Sequence, residues 1–420
     1  MHNIQDLFIA NDIVPIFDYT LNDDAKVLLK KIMLSPLSSV EDIINRQSYL
    51  KAILLQDNLI EAYHYRKVDY LEAQRFLIHF SEEEVKKIDY LTYFFQKKRS
   101  DTLFGLYSQL IYFFKDLEDA IKRNVTIATF PKDLKTDVQF IVDYLHDFNP
   151  ATYKKQIAKG KFGFRSIQRL NELVLEKRRN GDTLLFFNKL NLFEVYISLA
   201  KAIRKLELNF VEIGDSDLTL SQMYHPLVHN AVKNDLSISN NVVLLTGANM
   251  SGKSTLLKTI GLCVYLAHLG FPIPAMSGTI PFYNHIFIQI NHSDDLKNGY
   301  SHFMNEIVNL KTVVTEADNG QRCFAVFDEL FKGTNYEDAL AISKITIKGL
   351  QRFQNSLFFI STHLNELQLE IEKQSIDALF VDCSIENELP IFSYKIKKGW
   401  SDLKIGQLLF KKVGLGQLFE

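Results

Sequence analysis

The chain has 420 residues, 48 basic against 50 acidic, with a net charge of −2; 47% are hydrophobic and 23% charged. This is the balance of a globular chain long enough for two or three domains and a large core, in which the frequent Phe and Tyr dominate the packing. It excludes a chain that coats nucleic acid through overall charge, so any such contact has to come from a local basic patch.

Cys263, Cys323 and Cys383 are odd in number and lack metal-ligand spacing, which argues against a disulfide framework and predicts buried small apolar residues. The N-terminus shows no basic region followed by an apolar stretch, and there is no apolar run of membrane-spanning length. The expected compartment is the cytoplasm.

Glycine divides the chain. Gly105, Gly160, Gly163 and Gly181 precede residue 214, and the other 14 of the 18 follow. Because glycine is costly inside helices and useful in turns and phosphate loops, the first half reads as long helices and the second as alternating strands, turns and helices. The expected division is a helical domain over 1–206 and an α/β domain over 207–420.

In the helical half, Ser38 and Glu41 form a capping-box pattern, followed by apolar Ile43, Ile44, Tyr49 and Leu50 on one helix face. Thr102 to Arg123 and Asn188 to Leu206 also read as helices, with Pro131 and Pro150 as breaks. Between Lys154 and Arg179, nine cations (Lys154, Lys155, Lys159, Lys161, Arg165, Arg169, Lys177, Arg178, Arg179) face only Glu172 and Glu176. Such a segment can neutralise DNA phosphates, with Phe162 and Phe164 placed to stack on bases; the alternative is a solvated helical face.

Three apolar runs, Val242–Leu245, Cys323–Phe327 and Leu357–Ile360, read as buried parallel strands with helices between them. Gly247-Ala248-Asn249-Met250-Ser251-Gly252-Lys253-Ser254 fits the G-x-x-x-x-G-K-[ST] phosphate loop, after a strand and before the helix that starts near Thr255. The expected fold class is therefore α/β, a mostly parallel-sheet P-loop NTPase domain preceded by helices. Backbone N–H groups of the loop turn inward on the phosphates of ATP, Lys253 reaches the β- and γ-phosphates, and the Ser254 hydroxyl binds Mg²⁺. The second strand ends in Asp328, a Mg²⁺ ligand, and Glu329, which would orient and deprotonate the attacking water. The third ends in Ser361-Thr362-His363, where the His either reaches the γ-phosphate or is satisfied by backbone partners.

Together these elements resemble the ATPase domain of the MutS family of DNA mismatch-repair proteins. Thr246 to Ser254 resembles TGPNMGGKS, from which Ala248 and Ser251 depart; Asp328 to Thr334 resembles DELGRGT; Ser361-Thr362-His363 resembles ATH. Ser293 to Leu296 and Gly299 to Glu306 resemble DDL…GxSTFMxE; Met223 to Val228 resembles RHPLV; Lys398 to Ser401 and Ile405-Gly406 resemble the closing G-x-S…SYG segment. This resemblance covers about residues 207–415. Thr20 to Leu50 more loosely resembles the start of the family's helical core and lever, with Ala25 at a family glycine.

The resemblance implies an ATPase that works as a dimer with composite sites. It implies that Ser301 reaches the partner's γ-phosphate, the alternative being an ordinary helix-start residue, and that Val232, Asn234 and Tyr394 lie on the adenine side, Tyr394 where relatives often carry His. A helical core that begins within the first 30 residues leaves no room for the N-terminal mismatch-reading domain or its Phe-x-Glu wedge, which Phe193-Glu194 does not form. The expected role is therefore a short DNA-binding factor in mismatch repair or recombination control without direct mismatch recognition; the alternative is an ATPase switch acting through protein or ribosome partners. A transporter-type ATPase is excluded by the lack of LSGGQ between the phosphate loop and the acidic pair.

Overall fold

The computed structural model describes residues 2–79, 97–214, 217–290, 302–371, 376–386, 389–401, 403 and 410. Two compact units are present: Val14–Leu34 with Asn45–Lys205, and Met1–Ile13 with Ser35–Ile44 and Leu206–Glu420.

Among its described residues, the first of these is built from helices, chiefly Asp23–Met33 (α1), Val40–Leu54 (α2, whose first residues belong to the other unit), Lys97–Lys122 (α3), Lys132–Asp147 (α4), Pro150–Ala158 (α5), Phe164–Arg179 (α6) and Asp182–Lys205 (α7). The prolines act as helix openers: Pro131 directly precedes α4, and Pro150 occupies the first position of α5, where a missing N–H costs nothing. The cap of α2 corrects the sequence reading by one residue. The Ser39 hydroxyl, not that of Ser38, accepts the Asp42 N–H at 3.1 Å and donates to the Asp42 carboxylate at 2.7 Å. Two adjacent serines made either register available, and the shorter Asp reaches back as the expected Glu would.

Helix α7 is buried along most of its length and is the centre of this unit. Aromatic rings fill the surroundings: Tyr144 stacks on Phe186 with centroids 4.3 Å apart, and Phe114 meets Phe148 edge-on at 4.9 Å. Several polar groups are buried in that apolar mass, Glu194 among them. The Glu194 carboxylate accepts from the backbone N–H of Leu21 (2.6 Å) and Asn22 (3.2 Å), from the Asn22 carboxamide (3.2 Å) and from the Tyr65 hydroxyl. Asn22 also caps α1 by accepting the Ala25 N–H at 2.9 Å. Burial pushes the Glu194 carboxyl up while these donors pull it down, and burial prevails.

The other unit contains a six-stranded sheet in the order β10-β9-β4-β8-β7-β6 and a four-stranded sheet in the order β1-β5-β2-β3. The strands are Glu212–Gly214 (β1), Thr219–Met223 (β2), Asn234–Ser237 (β3), Val242–Thr246 (β4), Ser277–Pro281 (β5), His285–Gln289 (β6), Cys323–Phe327 (β7), Leu357–Ser361 (β8), Asp377–Glu386 (β9) and Leu389–Lys398 (β10). The larger sheet is parallel from β9 through β6, and only β10 runs antiparallel. Every residue of β4, β7 and β8 is buried, which is why these strands read as continuous apolar runs rather than alternating ones.

The edge of β6 is covered by the N-terminal segment. Asn3 N–H donates to Ile286 O at 2.9 Å, Ile288 N–H donates to Asn3 O at 2.7 Å, and Asp6 accepts the Ile290 N–H at 2.7 Å. Helix Lys253–His268 (α8) follows β4 and is apolar nearly all round, as its burial requires. It ends on His268, fully buried, whose Nδ1 lies 2.7 Å from Val264 O and whose Nε2 accepts the Tyr283 N–H at 2.8 Å. Burial lowers this imidazole to about 4, so it is neutral at physiological pH, as an accepting Nε2 demands. Helices His302–Asp318 (α9) and Tyr336–Leu350 (α10) help pack the core around Val242, Leu244, Ala325, Phe327, Phe358 and Ile360.

Cys263 and Cys323 are buried free thiols, while Cys383 is only half-buried, on strand β9. No helix among the described residues is long and apolar enough to cross a membrane.

Candidate functional site

Strand β4 pairs with β8, and β8 with β7, all parallel, so their carboxyl ends open side by side. That is the edge of a parallel sheet where ligands bind. The register brings Leu245 beside Ser361 and Phe327 beside Ile360, which places the loop after Thr246, the acidic pair after Phe327 and His363 within one neighbourhood.

The loop 247–252 needs its glycines. Gly247 has φ +136° and Gly252 φ +98°, both in the region that favours glycine. A Cβ on Gly247 would lie 3.1 Å from Val381 O, and one on Gly252 would lie 3.2 Å from Tyr394 Cδ1. Asn249 and Met250 are exposed at the loop tip, and Ala248 and Ser251 are buried. The Lys253 ammonium is buried and donates to Gly247 O (2.8 Å) and Ala248 O (3.1 Å); burial lowers its pKa. The Ser251 hydroxyl is fully buried in the loop and has no hydrogen-bond partner among the described residues. Such a hydroxyl and a cation resting on loop carbonyls suit an anion with several oxygens.

The Ser254 hydroxyl donates to Asp328 Oδ2 at 2.5 Å, so the two predicted Mg²⁺ ligands already share one spot. Both are oxygen donors, the donor chemistry that Mg²⁺ takes. Glu329 sits in the left-handed region at φ +56°. Its carboxylate contacts His363 Nε2 through one oxygen and accepts from Lys332 Nζ at 2.6 Å through the other. The hydrogen bond from His363 first, and that from Lys332 after it, hold Glu329 at about 2 against the opposing effect of burial. At that value the carboxylate accepts a hydrogen bond but scarcely a proton at neutral pH.

Beside the phosphate loop lies a cavity of about 380 Å³, bounded among others by Val232, Asn234, Thr255 and Tyr394. The structure thus brings together the three residues expected on the adenine side. Their parts differ. Tyr394 occupies an irregularity in β10 between Phe392 and Ile396, at φ +54°, with its ring half-exposed. Asn234 is buried and its carboxamide is engaged by the backbone: it donates to Tyr394 O (2.9 Å) and Val232 O (3.1 Å) and accepts the Ile396 N–H (2.9 Å). In this arrangement Asn234 places Tyr394 and shapes the wall.

Sequence reasoning missed Lys332, Ser361 and the His225 and Tyr224 walls of this cavity. Ser301 lies outside the described residues, as do Ser293 to Tyr300 and Ile405-Gly406.

The basic segment lies in the helical unit. Lys177 is tied to Asp147 (2.7 Å) and Asp182 (3.4 Å), Lys154 to Asp116 (3.3 Å), and Arg178 donates to Ile78 O at 3.2 Å. Lys155, Lys159, Lys161, Arg165, Arg169 and Arg179 lie at least partly open to solvent. Phe162 corrects the expectation of base stacking: it is buried against Phe104 and Tyr153, because the turn between α5 and α6 folds its ring inward.

The sequence family MutS domain V matches residues 243–417. Proteins named DNA mismatch repair protein MutS are similar over part of the chain. That of Fusobacterium nucleatum subsp. nucleatum is 30% identical over 260 residues, 59% of this chain and 29% of that protein. That of Listeria welshimeri is 30% identical over 258 residues, 55% and 30% of the two chains. That of Desulfitobacterium hafniense is 32% identical over 235 residues, 53% and 27%. The matched part of this chain thus spans less than a third of the length of these relatives. The matched segment is the one that carries the loop, the acidic pair and the β8 terminus, so it is this part of the chain that is similar to MutS domain V.

Proposed function

We propose that this protein binds and hydrolyses ATP and uses the cycle to regulate a DNA-bound state in mismatch repair or recombination control. The observation that carries the reading is the convergence of the phosphate loop, Asp328-Glu329 and His363 at adjacent carboxyl ends of β4, β7 and β8. In this reading Gly247 to Thr255 cradle the phosphates, Lys253 leaves its loop carbonyls for the β- and γ-phosphates, and Val232 and Tyr394 flank the base. Ser254 and Asp328 are the residues that would hold Mg²⁺, which when bound offsets negative charge on the phosphate oxygens. Glu329 orients a water on the γ-phosphorus; as the new O–P bond forms, the bond to the β-phosphate oxygen breaks, the water's proton passes to an oxygen of the transferred phosphoryl group, and ADP and phosphate leave. His363, released from Glu329, reports the γ-phosphate.

We further propose that two copies close around the nucleotides, with Ser301 acting on the partner's site, and that the helical unit, Val14–Leu34 with Asn45–Lys205, serves as core and lever for an ATPase domain formed chiefly by 207–420. The cytoplasm is the compartment this role implies. Lys253→Ala is expected to weaken ATP affinity roughly 10- to 100-fold, the cost of losing a charge-assisted contact to a phosphate, in a calorimetric titration. Undiminished affinity would sink the nucleotide reading.

The solvent-accessible cations of 154–179 support phosphate contact rather than base stacking. Duplex binding measured by anisotropy is therefore expected to fall about a thousandfold between 50 and 200 mM salt, since some six phosphates would be neutralised. If DNA does not bind while ATP hydrolysis persists, the role passes to protein or ribosome partners.

A further inference from the structure

The two acids of the site hang on one hydroxyl. Ser361 closes β8 and is completely buried. Its Oγ–H donates to Asp328 Oδ1, and its oxygen accepts the Glu329 N–H at 2.8 Å. The first contact fixes the Asp328 carboxylate with its other oxygen, Oδ2, on Ser254. The second holds the backbone of Glu329 in its left-handed conformation, which a residue with a side chain adopts only against a steric cost. In the ATH motif that this segment resembles, an alanine stands at this place and could make neither contact.

We infer that Ser361 is a positioning residue that orients Asp328 toward the metal spot and Glu329 toward the attacking water. This rests on the proposed function of the same site. The hydroxyl is engaged by the two acids and acts through them. Replacing it leaves Asp328 Oδ1 without its donor and the Glu329 N–H without its acceptor, so Mg²⁺-dependent steps suffer while Mg²⁺-free nucleotide binding does not.

The test compares wild type, Ser361→Ala, Ser361→Thr and Ser361→Val, each checked for folding by circular dichroism. A fluorescent ATP analogue is titrated in EDTA and at a series of Mg²⁺ concentrations, and phosphate release is followed separately. Ser361→Ala is expected to keep its affinity in EDTA, to need roughly tenfold more Mg²⁺ for half-maximal effect, and to hydrolyse roughly tenfold more slowly. Thr and Val share a shape and differ in the hydroxyl, so their ratio reports the hydroxyl even if the added bulk perturbs both. Thr is expected to be the better of the two by a similar factor.

Equal Mg²⁺ dependence and turnover for Thr and Val, or for wild type and Ala, overturns the inference while wild-type ATP binding leaves the proposed function standing. A wild type that binds no analogue with or without Mg²⁺ overturns both.

Discussion

Glu329→Gln is expected to bind ATP as tightly as the wild type and to hydrolyse it about 100-fold more slowly, the size of effect that misplacing a reacting group carries. The change is close to isosteric, so the turn at φ +56° and the hydrogen bond from the backbone N–H of residue 329 to Ser361 Oγ survive. What disappears is the negative charge and one acceptor. The carboxylate is clamped between His363 and Lys332 and held near 2, which suits it to receive a water's hydrogen bond rather than to store a proton. The substituted carboxamide would still accept through its carbonyl, but its NH₂ would face Lys332 or His363, and the water would lose a charged partner. Phosphate release under single-turnover conditions reads the chemical step, and equilibrium titration reads affinity. Turnover equal to wild type would remove Glu329 from the role.

The second large effect belongs to the helical unit. Glu194→Ala is expected to destabilise it by about 3–5 kcal/mol, because it leaves the Leu21 and Asn22 amides and the Tyr65 hydroxyl, all buried or partly buried, without their shared acceptor. The same change loosens Asn22, which caps α1, and so frays the start of that helix. Glu194→Gln keeps one acceptor oxygen and is expected to cost about 1–2 kcal/mol. Denaturation should be followed with two probes, since a two-unit chain need not unfold in one step. Trp400 is the single tryptophan and reports the α/β unit, while far-ultraviolet circular dichroism is dominated by the helices. A denaturation midpoint for Glu194→Ala that matches wild type on the helical signal would show that Glu194 is not the anchor.

Much of the α/β unit was legible because its phosphate-loop motif is written in consecutive residues. A phosphate loop needs glycine at two positions for positive φ and close approach, a lysine and a hydroxyl at a set spacing, and a strand and helix on either side, and all of this falls within residues 242–268. The three central strands were legible for a related reason: burial on both faces leaves an unbroken apolar run. Strands β1–β3, β5, β9 and β10 were less so, because shorter or partly exposed strands carry weaker patterns. The capping register at Ser39 was hidden by two adjacent serines, either of which satisfies the local rule.

What the amino-acid order determined by itself is the phosphate cradle, the acid-tipped strand and the family resemblance, since each depends on contacts made within a few residues of chain. Only the tertiary structure decided that Ser361 bridges two acids just beyond the end of another strand, that Asn234 supports Tyr394 from 160 positions away, that Lys332 and His363 share Glu329, and that Phe162 turns inward. Those pairings follow from strand register and side-chain direction, and a shift of one residue in either would have put different atoms in reach.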